Sequence, residues 1–226
     1  MMIEYTLTRS KRKTLGLYIR NGAMEVRAPL GASKRDIDSF ITSKSEWIQG
    51  KLKHSKEQAQ NRESFRLNYG DSILYLGKEY PIVSKEGKQV GFSGEYFYMP
   101  PNLTAKQIKS ACIQIYRMLA KHDLADRVLD FSQQMSVTPS AIKINSARTR
   151  WGSCSSKKCL NFSWRLIMAD RDVIDYVVVH ELAHLTEMNH SKRFWAIVEA
   201  IIPNYKQRKE GLNKISQRLA KEDWES

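Results

Sequence analysis

The sequence predicts an α+β protein, and three observations predict it. Runs rich in β-branched and aromatic residues, punctuated by glycine, fill residues 4–30 and 65–99, the pattern of short antiparallel strands. Longer stretches with apolar residues at helical spacing open on capping signals. One of these runs into His180-Glu181-Leu182-Ala183-His184. The expected architecture is therefore a histidine-bearing helix packed on a small antiparallel sheet, preceded by a β-rich N-terminal region. The chain divides as 1–101, β-rich with one helix, and 102–226, which carries the histidines.

Taken in order, Asn21-Gly22 falls between Leu15–Ile19 and Met24–Val26 and predicts a hairpin. Ser33 is placed to cap a helix with Ile37, Phe40, Ile41, Trp47, Ile48 and Leu52 inward. Gln58–Ser64 reads as a polar linker. Strands follow from Phe65 to Met99, closed by Pro100-Pro101. Thr104-Ala105-Lys106-Gln107 is a capping box that opens a helix to about Gln134, with Ile108, Cys112, Ile115, Leu119 and Val128 inward. Residues 141–168 read as a second strand pair connected by Gly152–Lys158.

The stretch from Asp172 to Leu185 predicts a helix of about fifteen residues, buried on one side. Positions 174, 178, 182 and 185 form an apolar stripe, and 173, 177, 180 and 184 share the neighbouring face. Aspartates 170, 172 and 175 stand at its front, where the helix dipole favours them. A strand through Val177-Val178-Val179 would part His180 from His184 by some 13 Å, but the apolar pattern continues through Leu185 and favours helix. Beyond it the chain must turn, with Asn189 the candidate left-handed residue. Ser191 then caps a second helix with Phe194, Ile197, Val198, Ile201 and Ile202 on one side, ended by Pro203.

On a helix, His180 and His184 lie one turn apart on one face, and Glu181 sits about 100° further round. His190, ten residues after His180, closes the triangle; a glutamate downstream, Glu199 first, is the rival third ligand. Three protein ligands with an open position make a catalytic zinc arrangement. The expected metal ligands are thus His180, His184 and His190, the cofactor Zn²⁺, and Glu181 the base serving a water on the ion. A chance His-Glu-x-x-His in this composition is expected on the order of 0.01 times.

The stretches Arg150-Trp151-Gly152-Ser153-Cys154-Ser155, Asn161-Phe162-Ser163-Trp164-Arg165-Leu166, His180–Leu185, and Asn189-His190-Ser191 leading to Phe194-Trp195 resemble the bacterial YgjP-like metal-dependent hydrolases. They cover about residues 145–200, and the looser layout matches over nearly the whole chain. The resemblance implies a zincin-like fold akin to the SprT-type proteases, with His180, His184 and His190 as ligands and Glu181 as catalytic base. It implies a metallopeptidase; a nucleotide pyrophosphatase activity towards UTP, described in the family, is the alternative. A non-enzymatic nucleic-acid-binding protein with structural zinc is a third reading, in which Glu181 would be idle. In zinc peptidases an edge strand beside the site pairs with extended substrate backbone, and Lys143–Trp151 or Leu160–Leu166 is placed to be that edge. Arg148, Arg150 and Arg165 are candidate substrate-binding residues for oxyanion or phosphate charge, or else ion-pair partners of the nearby aspartates. Trp151 and Trp164 read as core by their bulk.

Composition bounds these readings. The chain has 226 residues, 42% of them hydrophobic, enough for one sizeable domain or two small ones. No apolar run approaches the roughly 18 residues of a membrane helix, and no secretory signal opens the chain. Three cysteines fit a reducing cytoplasm better than a disulfide framework, and a second metal site at Cys154 and Cys159 would lack partners. The net charge of +13 implies a basic surface, with peptide or nucleotide substrate and weak nucleic-acid contact as the expected partners.

Overall fold

A computed structural model describes residues 3–20 and 22–225. They form two compact units, one built from residues up to Phe65 with Leu219–Asp223, the other from Arg66–Arg218 with the residues after Asp223. The boundary between these units falls at Phe65. Residues 66–101 join the second unit because their strands bond into it. The Tyr75 hydroxyl donates to Asp123 at 2.6 Å, and the Leu76 N–H to the Ile167 carbonyl at 2.7 Å.

In the first unit, β1 (Thr6–Ser10), β2 (Gly16–Arg20) and β3 (Ala23–Pro29) form a sheet in the order β1-β3-β2. The predicted hairpin is β2–β3, antiparallel, while β1 runs parallel to β3. Asn21 lies outside the described residues; Gly22 has φ 76°, the left-handed region a tight hairpin turn uses. Met24, Val26 and Ala28 alternate inward and pack on Ile37, Ile41 and Ile48. Ser33 caps α1 (Lys34–Thr42) in a reciprocal box with Asp36. The predicted single helix is broken at Ser43 and Lys44 and restarts as α2 (Ser45–Ser64). That break resets the helical phase, so Trp47 is 51% exposed while Ile48 is buried. Gln58–Ser64 belongs to α2 and is no linker; its Gln, Ala, Arg and Glu residues are good helix formers.

The second unit begins with β4 (Ser72–Tyr75), β5 (Lys78–Ser84), β6 (Gly91–Phe92) and β7 (Phe97–Met99), in the order β4-β5-β7-β6. Pairing is antiparallel except between β5 and β7. The β4–β5 turn uses two left-handed residues, Leu76 (φ 49°) and Gly77 (φ 78°). A Cβ at Gly77 would fall 1.9 Å from Asp170 Oδ1, so only glycine fits there. Thr104 and Gln107 form the predicted capping box of α3 (Ala105–Gln134), and its Ile108, Cys112, Ile115, Leu124 and Val128 are buried.

Residues 141–163 form three strands where the sequence suggested two. β8 (Ala141–Asn145), β9 (Gly152–Cys154) and β10 (Cys159–Ser163) lie in the order β8-β10-β9, with β10 parallel to β8 and antiparallel to β9. Half of the supposed connection is itself a strand, leaving a turn at Ser155–Lys158 in which Lys158 has φ 58°. Because β10 is central, the segment Leu160–Leu166 is not an edge; the edges are β8 and β9. Trp164–Met168 turns into a short 3₁₀ helix.

Next come α4 (Arg171–Ala183), α5 (Lys192–Ile201) and α6 (Tyr205–Leu219). α4 packs against α3, β9 and α5, and the expected one-sided burial is exceeded. Val173, Ile174, Tyr176, Val177, Val178, Val179, Leu182 and Ala183 are all buried. Packing on every side outweighs the weak helix propensity of the valine run. Asp175 pairs with Arg127 of α3, which ties the front of α4 to its neighbour. Among the described residues no helix is long and apolar enough to cross a membrane.

Candidate metal centre

His180 lies in the last turn of α4, and His184 is its C-cap, still helical at φ −67° and ψ −15°. The two imidazoles thus keep one-turn spacing, with ring centroids 5.1 Å apart. The chain leaves the helix through short-range bonds, Leu185 N–H to Leu182 O at 2.9 Å and Thr186 N–H to Ala183 O at 3.1 Å. No left-handed residue makes this turn. Among the described residues the non-glycine positions with positive φ are Leu76, Asn102, Ser136 and Lys158, so the role expected of Asn189 falls away. Gradual unwinding to Glu187 replaces it. Ser191 caps α5 as predicted, its hydroxyl accepting from Phe194 N–H at 3.3 Å. Phe194 is fully buried and packs on all three imidazoles, at 4.9, 4.5 and 4.7 Å from the His180, His184 and His190 centroids.

One ring nitrogen from each of His180, His184 and His190 lies within 4.8 Å of the others. His180 Nε2 and His190 Nε2 are 3.0 Å apart. Zinc–nitrogen bonds of roughly 2.0–2.1 Å put two tetrahedral ligands about 3.3 Å apart, so this spacing suits a shared ion. His184 Nδ1 lies 3.1 Å from the Glu187 carbonyl. A carbonyl only accepts, so Nδ1 carries the proton and Nε2 is left as a lone-pair donor. Burial, then the charges of His184, His190 and Lys209, push His180 down to about 3. Burial likewise lowers His184. Neutral imidazoles are the form that binds a cation. Glu199 is exposed on α5 and outside this group, which among the described residues is the one cluster of three or more candidate ligands. Cys112, Cys154 and Cys159 are free thiols.

Glu181 is 6% exposed, and burial pushes its carboxyl up to about 7. Its side chain lies against the main chain of β9: a Cβ on Gly152 would sit 2.6 Å from Glu181 Cγ and Oε1. Burial, then the charges of Glu181 and Cys159, raise the thiol of Cys154. On β9, Trp151 O and Ser155 N–H bond to β10. By strand alternation the main-chain groups of Gly152 and Cys154 face the free edge.

The three arginines divide. Arg165 is 8% exposed and donates to the carbonyls of Ser146 and Trp224 at 2.9 and 3.2 Å, so it is committed to packing. Arg148 pairs with Glu225, not with the aspartates, whose partners are Arg127 for Asp175 and Arg208 for Asp172. Arg150 is exposed and makes no ion pair among the described residues. Trp164 is core, as expected, whereas Trp151 is partly exposed and donates to Ser216 Oγ at 3.2 Å. Sequence reasoning named Trp195 only as part of the family-like stretch and passed over Tyr205 and Lys209. Trp195 stacks on His190 at 5.8 Å and 26°, and Tyr205 stacks on Trp195 at 5.1 Å and 18°. Helical spacing could have placed Lys209 one turn from Tyr205, but nothing local shows which way α6 turns after Pro203.

A helix-borne His-Glu-x-x-His, a third histidine brought back by the following turn, and a carboxylate beside an edge strand define a site of the metallopeptidase class. A model of the YgjP-like metallopeptidase domain matches residues 13–215, and the chain belongs to that family. The expected zincin-like α+β fold agrees with this membership. No curated protein matches the chain. Two crystal structures of metallopeptidase zymogens are similar to it. Abylysin of Pyrococcus abyssi is 20% identical over 44% of this chain and 97% of its own, with a TM-score of 0.39. Jannalysin of Methanocaldococcus jannaschii is 24% identical over 42% and 96%, with a TM-score of 0.37.

Proposed function

We propose that the chain is a zinc-dependent peptidase in which His180, His184 and His190 hold the ion and Glu181 is the general base. The observation that carries this reading is the convergence of three imidazole nitrogens within 4.8 Å of one another, with the neighbouring residue on α4 a buried carboxyl. The ion, when bound, supplies Lewis acidity, lowering the pKa of water from 15.7 towards about 7 and polarising the scissile carbonyl. Glu181, held at about 7 by burial, takes the proton of the attacking water and returns it to the leaving nitrogen. A base poised near the working pH can do both. The outward main-chain groups of Gly152 and Cys154 on β9 offer an extended substrate strand its hydrogen bonds, directly beside Glu181. The pyrophosphatase alternative relied on Arg148, Arg150 and Arg165 to grip phosphates, and two of these are already engaged.

The test is purified protein, zinc-loaded and chelator-stripped, against denatured casein and a nucleoside-triphosphate panel side by side. Metal-dependent cleavage of casein, lost in Glu181→Gln, is the expected result. Hydrolysis of nucleotides with casein untouched would move the protein to the pyrophosphatase class.

A further inference from the structure

α6 brings positive charge to the aromatic wall beside the histidines, and the role inferred for that charge rests on the peptidase reading of the site. Trp195 stacks on His190 and on Tyr205, and Tyr205 stacks on Tyr176 at 6.5 Å and 18°. Against this wall lie two ammonium groups. Lys209 Nζ is 5.9 Å from the Trp195 centroid, and Lys206 Nζ is 5.9 Å from that of Tyr205. Both side chains are on an exposed part of α6, and neither has a carboxylate within 4.0 Å among the described residues. Arg208, between them in sequence, is differently placed: it donates to Asn204 Oδ1 and the Asp172 carbonyl.

This arrangement is electrostatically one-sided. Lys209 lies against Trp195, which stacks on His190, and no carboxylate partners either lysine among the described residues. A substrate carboxylate would restore the balance, and an aromatic floor under a lysine orients its ammonium for that contact.

We propose that Lys209, seated on Trp195 and supported by Lys206, selects peptides with a carboxylate next to the bond that is cut. That carboxylate belongs to an acidic side chain or to a free C-terminus. Four short peptide hydroxamates distinguish these sources: Glu or Gln beside the hydroxamate, each with a free or an amidated C-terminus. Calorimetric titration of the zinc-loaded full chain should show carboxylate-bearing ligands binding about 10-fold tighter than the Gln amide at low salt, with the margin shrinking as salt rises. Lys209→Met should abolish the preference yet keep the affinity for the Gln amide, and Lys209→Glu should reverse it, favouring the Gln amide over the carboxylate-bearing ligands. Equal affinities for all four ligands, or a preference that survives Lys209→Met, overturns the proposal and leaves the metal-site reading intact. Absence of any hydroxamate binding to the zinc-loaded chain overturns both. Inorganic triphosphate binding that depends on Lys209, with the four peptides alike, would assign the lysines to phosphate and also overturn it.

Discussion

Gly152 of β9 and Glu181 of α4 occupy one another's space: the atom that any other residue would carry at position 152 falls 2.6 Å from the Glu181 carboxylate oxygen. The strand edge and the carboxyl are therefore held at a fixed separation, with no side chain between them. A peptide pairing with Gly152 would run beside the group that handles its proton, which is the proximity that positioning in catalysis requires.

Gly152→Ala should therefore displace Glu181 while leaving the histidines in place. We expect kcat to fall about 10-fold or more and stability to drop by about 1–3 kcal/mol, as for an overpacked site. Zinc content by elemental analysis should stay at one per chain. Unchanged kcat in this variant would show that the carboxyl does not depend on its contact with β9.

Glu181→Gln keeps the shape and removes the proposed base. Zinc should be retained, and hydrolysis should fall by about 10² or more. Turnover equal to the parent would exclude Glu181 as general base whichever substrate is used.

The same substitution has a stability signature in the metal-free protein. Burial raises the Glu181 carboxyl from 4.5 to about 7, so folding favours its protonated form. That advantage is fully present below 4.5 and is lost as pH rises through 7. Above 7 the ionised carboxylate costs the fold about 3 kcal/mol. Metal-free Glu181→Gln should then melt roughly 5–10 °C above the parent at pH 8 and show no advantage at pH 4.5. The depressed His180 is common to both proteins and cancels. Parallel melting curves at the two pH values would refute the burial argument.

The chemistry was more legible than the geometry around it. His180, Glu181 and His184 could be placed because a helix fixes their relative directions within one turn, and Ser33, Thr104 and Ser191 announced helices through local hydrogen bonds. Several misreadings depended on partners distant in sequence or on a break without a local mark. Arg165 reads like Arg148 and Arg150 until Ser146 and Trp224 are seen to take its protons. β10 has the composition of either an edge or a central strand, and only pairing with both β8 and β9 decides. The break at Ser43 carries no proline or glycine, so the exposure of Trp47 could not be anticipated. Asn189 suits a turn made by a left-handed residue, whereas the helix end unwinds gradually instead.

The third ligand can be tested by subtraction. His190→Ala should lower zinc affinity steeply in competition with a chromophoric chelator, because two imidazoles remain. Glu199→Ala should change it little, since that side chain is exposed and outside the cluster. Loss of zinc from Glu199→Ala with His190→Ala unaffected would reverse the assignment.

Removing both helix-borne ligands is the stricter control. His180→Ala with His184→Ala should leave no stoichiometric zinc after purification without added metal. One zinc per chain in that double variant would mean that the ion sits elsewhere.

The burial of α4 on every side has a consequence for how such a protein can be retargeted. Almost every position on that helix is answerable to a neighbour's shape as well as to the reaction, so there is little freedom to redesign it. The rim of α6 has no such double duty. Exchanging residues there offers a route to new substrates without rebuilding the machinery that cuts them, which separates what the protein does from what it does it to.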